Sequence, residues 1–138
     1  MRLWDYRLLK VLPDRFIISQ WRECIAIKRQ WEKGTLKHRL VSYVKDYDKE
    51  YFYNYVERLT LEFNFRFINY QYKYYYEIKD FCNPTHYLQG KHYPEHNDRY
   101  LKQCYYNLQE KYDRGIISKK EWKKIEDFYN NIFLKEVD

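Results

Sequence analysis

The chain has 138 residues, enough for one domain with a single hydrophobic core and no dependence on disulfides or a structural metal. Its 22% aromatic content (eighteen Tyr, eight Phe and four Trp) argues against a disordered chain, and only three Gly and three Pro favour long helices over many turns. A net charge of +6 with a pI near 9.0 suits a polyanionic partner, nucleic acid above all.

The opening MRLWDYRLLK reads as an extended start. Asp5 and Arg7 interrupt any signal-peptide-like apolar run, and no stretch approaches the roughly 18 apolar residues of a membrane span. A soluble, intracellular, cytoplasmic protein is expected. Pro13 and Asp14 then mark a helix start, with Asp14 as the cap. Ile17, Trp21, Cys24, Ile25 and Trp31 recur at helical spacing, and Gly34 ends the run. Sequence neighbours on a helix stand about 100° apart and do not pair. Arg22 and Glu23 therefore leave the apolar stripe on separate flanks and aim at different things.

A basic loop with Lys37, His38 and Arg39 follows. A second helix begins near Asp48 and spaces Tyr51, Tyr55, Leu59 and Phe63 four apart. Residues 69–78, NYQYKYYYEI, alternate like a strand yet also suit a helix, so both readings stay open. Pro84, Gly90 and Pro94 punctuate a long loop. Asn97 or Asp98 then caps a helix with Tyr100, Leu101, Cys104, Tyr105 and Leu108 on its apolar face, and Gly115 stops it. Ser118 followed by Glu121 is a capping-box pattern, which predicts a last helix with Trp122, Ile125, Phe128, Tyr129 and Ile132 inward. The expected fold is all-α, a single compact domain of three main helices plus a C-terminal helix.

For chemistry, the three cysteines (Cys24, Cys82 and Cys104) make no disulfide framework. Cys24 and Cys104 lie on apolar faces, where inert thiols are expected. Cys82, His86, His92 and His96 form a C-x3-H…H-x3-H series. It supplies one thiolate and matches no standard zinc spacing, so neither a metal nor another cofactor is predicted. No glycine-rich phosphate loop, nucleophile elbow or H-E-x-x-H is present. The stronger signal is basic: Arg22, Lys28, Arg29, Lys33, Lys37, His38 and Arg39 cluster with only Glu23 and Glu32 between them. Such a set gives salt-sensitive binding to DNA, while its plainer reading is a solvated face. A carboxylate beside phosphates repels them, and is kept most readily where a cation or a proton is handled.

In LPDRFIISQWRE (12–23) the chain resembles the phage-type pyrimidine-dimer DNA glycosylases, whose first helix begins with the same order of Leu, Asp, apolar residues and aromatic-Arg-Glu. The distance from Met1 to Arg22 and Glu23 fits without gaps. KHRLVSYV (37–44), FNFRFI (63–68) and HYPEHNDRYLKQC (92–104) resemble bacterial relatives that open with MRLW and carry YPEHND. The resemblance covers most of residues 1–111. It implies a glycosylase-like helical domain over residues 1–113, with the N-terminal segment threaded between helices, and a helical extension over 114–138 that adds no chemistry.

It implies further that a backbone α-amine attacks C1′ of a damaged nucleotide, expels the base through an imine, and cuts the strand by β-elimination. An α-amine suits this because its pKa of about 7.7–8 lies well below the roughly 10.4 of Lys. Met1 and Glu23 become the catalytic pair, and Arg2, Arg15, Arg22, Lys28, Arg29, Lys37, His38 and Arg39 the DNA-contacting set. The partner is double-stranded DNA, bound by a monomer. Three positions depart from the family pattern. Arg2 is bulky enough to block Met removal, which leaves the Met1 amine as nucleophile. Ala26 stands where an arginine is expected, and Asn107 stands at a second such place. The alternative is a non-catalytic DNA-binding or protein-interaction module on the same scaffold.

Overall fold

The computed structural model describes residues 1–85 and 91–134. Five α-helices carry them: α1 (Asp14–Lys33), α2 (Lys49–Phe65), α3 (Tyr72–Cys82), α4 (Asp98–Asp113) and α5 (Lys119–Leu134). Short 3-10 turns lie at Tyr6–Leu8 and Ser42–Asp46, and no strand occurs among the described residues. Helices α1, α2 and α3 pack on one another, and α5 packs on α4. No helix among the described residues is long and apolar enough to cross a membrane.

The open question at residues 69–78 resolves as helix, for a reason visible in the packing. Ile78 and Cys82 are buried one turn apart, with Tyr74, Tyr75 and Phe81 half-buried beside them. That set has helical period, and alternation would have split it between two faces. Asn83 ends α3 in the left-handed region at φ 43°, and its N–H donates to the Lys79 carbonyl. Ring contacts join the helices: Trp21 of α1 meets Phe63 of α2 edge-on at 5.8 Å, and Trp31 meets Phe52 and Phe81 at 6.0 and 5.3 Å. Ser118 and Glu121 form the expected reciprocal cap of α5, at 3.1 and 2.9 Å. Asn97 caps α4 by accepting the Tyr100 N–H. At α1 the cap position falls to Pro13, and Asp14 is the first helical residue. The Asp14 carboxylate instead accepts from Arg66 at 2.9 Å.

The unusual element is the N-terminal segment. Leu3, Trp4, Leu8, Leu9, Val11 and Leu12 are buried, although apart from the short turn the chain there is irregular. Buried backbone without ladder partners must find them in side chains. It does so residue by residue. Gln20 of α1 accepts the Trp4 N–H at 2.8 Å and donates to the Arg2 carbonyl at 2.9 Å. Tyr55 of α2 donates to the Trp4 carbonyl at 2.7 Å, and Tyr100 of α4 to that of Leu3. Further along, Arg66 donates to the carbonyls of Leu9 and Leu12 at 3.0 and 2.7 Å. His96 accepts the Tyr6 N–H at Nδ1, at 3.3 Å, which puts its one neutral-state proton on Nε2, facing the Tyr43 hydroxyl at 2.6 Å. Burial then holds His96 down to about pKa 3.

Candidate active site

This threading brings the first two residues to the flank of α1 where Glu23 leaves the apolar stripe. Glu23 is half-buried. Its Oε2 accepts from Gln20 Nε2 at 3.1 Å and from the Arg2 backbone N–H at 3.4 Å. Its Oε1 takes no hydrogen bond from any described residue. Beside Glu23 opens a cavity of about 360 Å³, lined by Trp4, Arg15, Phe16, Ser19, Gln20, Glu23, Lys111 and Ile116. Two aromatic walls, a carboxylate and a lysine thus meet in one hollow large enough for a small planar group.

The Met1 amine does not pair with Glu23. It lies 3.2 Å from Nε2 of His38, in the loop after α1. The backbone nitrogen that reaches the carboxylate is that of Arg2, one residue further along the chain. The Arg2 guanidinium lies over the Trp4 ring at 5.9 Å.

Arg22 projects to the other flank, into a separate hollow of about 220 Å³ that it shares with Trp21, Asn69, Tyr70, Gln71 and Tyr74. It is exposed and makes no ion pair with a described residue. The two neighbouring charges are therefore divided by the helix. Lys37, His38 and Arg39 are exposed in their loop, and Lys37 and Arg39 make no ion pair with a described residue either.

The rest of the expected DNA-contacting set is already engaged. Lys28 is buried, with its ammonium 2.9 Å from Glu32 and 3.4 Å from Glu77. Arg29 clamps Glu77 with two bonds of 3.1 Å. Both lie against α3. Arg15 grips Glu121 of α5 at 2.6 and 3.1 Å, and that pairing holds the Glu121 carboxyl down to about 2. Ala26 and Asn107 are half-buried. On α4 it is Lys111, one turn beyond Asn107, that lends a cation to the Glu23 cavity.

Several of these residues escape a reading by periodicity alone. Gln20 falls within the apolar stripe of α1, and a polar residue there is the signal that marks it. Lys111 and Ile116 carry no such mark, because they reach the cavity only through the way α4 and the turn after it pack. A wider cleft, about 910 Å³ between the N-terminal segment, α2 and α5, carries Lys10 and Lys124, and its acids Asp14, Glu62 and Glu121 are all paired with arginine. Its arginines Arg15 and Arg66 are bound to Glu121, Glu62 and Asp14.

The thiols are not available for chemistry: all three are buried, and desolvation pushes Cys82 up to about 12. Among the described residues no three His, Cys, Asp or Glu side chains converge to hold a metal. Of the C-x3-H…H-x3-H series, His86 lies outside the described residues. His92 stacks on Tyr6 at 4.2 Å, and His96 has both nitrogens engaged.

Compared with known proteins, residues 1–80 match the family model described as pyrimidine dimer DNA glycosylase. No curated protein and no solved structure matches the chain.

Proposed function

Because this chain belongs to the pyrimidine dimer DNA glycosylase family, we propose that it excises a damaged base from duplex DNA and cuts the abasic strand, using its N-terminal amine and Glu23. The observation that carries the reading is the junction itself. A carboxylate with one oxygen unengaged by any described residue borders an open cavity, and the start of the chain is bonded to its other oxygen.

The chemistry then runs as follows. The amine lone pair forms a bond to C1′, and the glycosidic electron pair leaves with the base, which takes a proton from solvent. The nitrogen sheds a proton to Glu23, and its restored lone pair opens the sugar ring. Glu23 returns the proton to the departing ring oxygen, which leaves an iminium. Loss of a C2′ proton expels the 3′ phosphate and breaks the strand. A carboxylate so placed also stabilises the cationic sugar. Access needs an extruded nucleotide, at a few kcal/mol of unstacking. Arg22, Lys37 and Arg39 bind backbone phosphates, since no acid among the described residues neutralises them. Residues 1–113 form the glycosylase unit, and residues 114–138 extend it, with Ile116 as a wall of the cavity.

Borohydride trapping on a duplex with one abasic site, beside a duplex with one thymine dimer, tests this reading. A covalent adduct that maps to the N-terminal residue is expected, with both substrates. Glu23→Gln should lose at least about 100-fold in cutting while still binding DNA. Unchanged cutting in that variant would remove Glu23 from the mechanism. One observation favours a second reading, a DNA-binding module without catalysis: the Met1 amine is turned toward His38 and not onto Glu23. Salt-sensitive binding with no adduct would establish it.

A further inference from the structure

The cavity beside Glu23 has one wall that residues 1–113 do not supply. Ile116 belongs to the turn between α4 and α5, and it lines that hollow together with Trp4 and Phe16. A single half-exposed aliphatic side chain is ordinary on a protein surface and means nothing alone. How this one is fixed is more informative. Gly115 ends α4 in the left-handed region at φ 79°, and its N–H donates to the Tyr112 carbonyl at 2.9 Å. The Ile116 N–H donates to the Lys111 carbonyl at 2.9 Å, and the next residue, Ile117, is buried. From α1, Arg15 donates to the Ile116 carbonyl and grips Glu121 of α5 with two further bonds. Helices α1 and α4 thus hold Ile116 directly, and α5 holds it through Arg15, while 49% of the residue stays exposed.

The same hollow keeps polar groups free. The Ser19 hydroxyl, the Lys111 ammonium and one Glu23 oxygen have no partner among the described residues. Two aromatic rings and a clamped aliphatic chain offer flat apolar contact, and the free groups offer donors and an acceptor. A nucleobase, with apolar faces and polar edges, matches both.

We infer that Ile116 is a specificity-determining residue whose side chain bears on the extruded base, so that the turn after α4 takes part in choosing which nucleotide enters. This rests on the glycosylase reading, and adds to it a residue of the C-terminal extension. Ile116 acts on the base and leaves the sugar to Glu23. An abasic sugar brings no base to meet Ile116. Changing this side chain should therefore alter the handling of base-bearing nucleotides more than that of abasic ones.

The test compares single-turnover cutting by the full-length protein on two duplexes, one with a thymine dimer and one with a preformed abasic site. Ile116→Trp fills part of the hollow, and should lower the dimer-to-abasic rate ratio at least about tenfold. Ile116→Ala only removes apolar contact, and should lower it about threefold. A variant that folds less well lowers both rates and leaves the ratio where it was. A ratio that does not fall in Ile116→Trp would overturn the proposal. Where wild type does not cut the dimer duplex, the reading of dimer excision falls. The ratio of affinities for that duplex and for one with a tetrahydrofuran abasic analogue then decides the role of Ile116, by the same factors. A protein that binds neither duplex would overturn both.

Discussion

The two ends of the N-terminal segment are held by different means. From Leu3 to Leu12 the backbone is buried, and its polar groups are met by Gln20, Tyr55, Tyr100, His96 and Arg66. Met1 and Arg2 are only half-buried, and meet an exposed imidazole and one oxygen of a half-buried carboxylate. The first set is expensive to break, because each loss strands a buried polar group. The second can be displaced by an incoming ligand at little cost, since water or substrate replaces the partner. The proposed amine nucleophile would need this combination of a fixed stem and a free tip.

The largest effect should come from Gln20, the one side chain that touches both ends. Gln20→Leu leaves the Trp4 N–H and the Arg2 carbonyl without partners in the interior, at about 3 kcal/mol. Urea unfolding measures it. Glu23→Gln, three residues away, should stay within about 1 kcal/mol of wild type while losing activity. Equal destabilisation by both changes would erase the distinction between stem and tip.

Acid should attack the stem first, through His96. Its pKa is lowered by burial from 6.5 to about 3, so the unfolded chain binds a proton that the folded chain refuses. Stability from this group is complete above pH 6.5 and falls as pH drops toward 3, by about 1.4 kcal/mol per unit. His96→Gln should flatten that slope in urea titrations across the same range. Smaller still is Tyr100→Phe, which removes one donor from the Leu3 carbonyl, for about 1 kcal/mol.

These residues also show what was legible in the sequence. The helices α1, α2, α4 and α5 follow from apolar spacing and from caps such as Asn97 and Ser118, which are local signals. At residues 69–78 alternation and helical period overlapped, and only burial of Ile78 and Cys82 separated them. Glu23 stood out as an acid among bases, and the separation of Arg22 from Glu23 followed from helix geometry. The clamp on the N-terminal segment was not legible, because it joins residues up to 97 apart in sequence through single hydrogen bonds. Nor was the fate of Lys28 and Arg29. Their acid partner Glu77 lies on a helix whose very existence was open.

That fate gives the finest comparison, between cations that are free and cations that are taken. Each phosphate neutralised by the protein releases counterions and adds about 0.9 to the slope of log affinity against log salt. Arg22 and Arg39 have no acid to leave among the described residues, so each alanine substitution should lower the slope by about 0.9, or by about half of that for a glancing contact. Arg29 already holds Glu77 through two bonds, and moving it to a phosphate would give up both and leave that carboxylate to the Lys28 ammonium alone. Arg29→Ala should therefore leave the slope unchanged, and weaken binding slightly by leaving the Glu77 charge balanced by Lys28 alone. Titrating a labelled duplex at several salt concentrations reads both quantities at once. A slope that falls equally for Arg29→Ala and Arg39→Ala would mean that Glu77 releases its arginine to DNA, and that the basic face reaches round to α3.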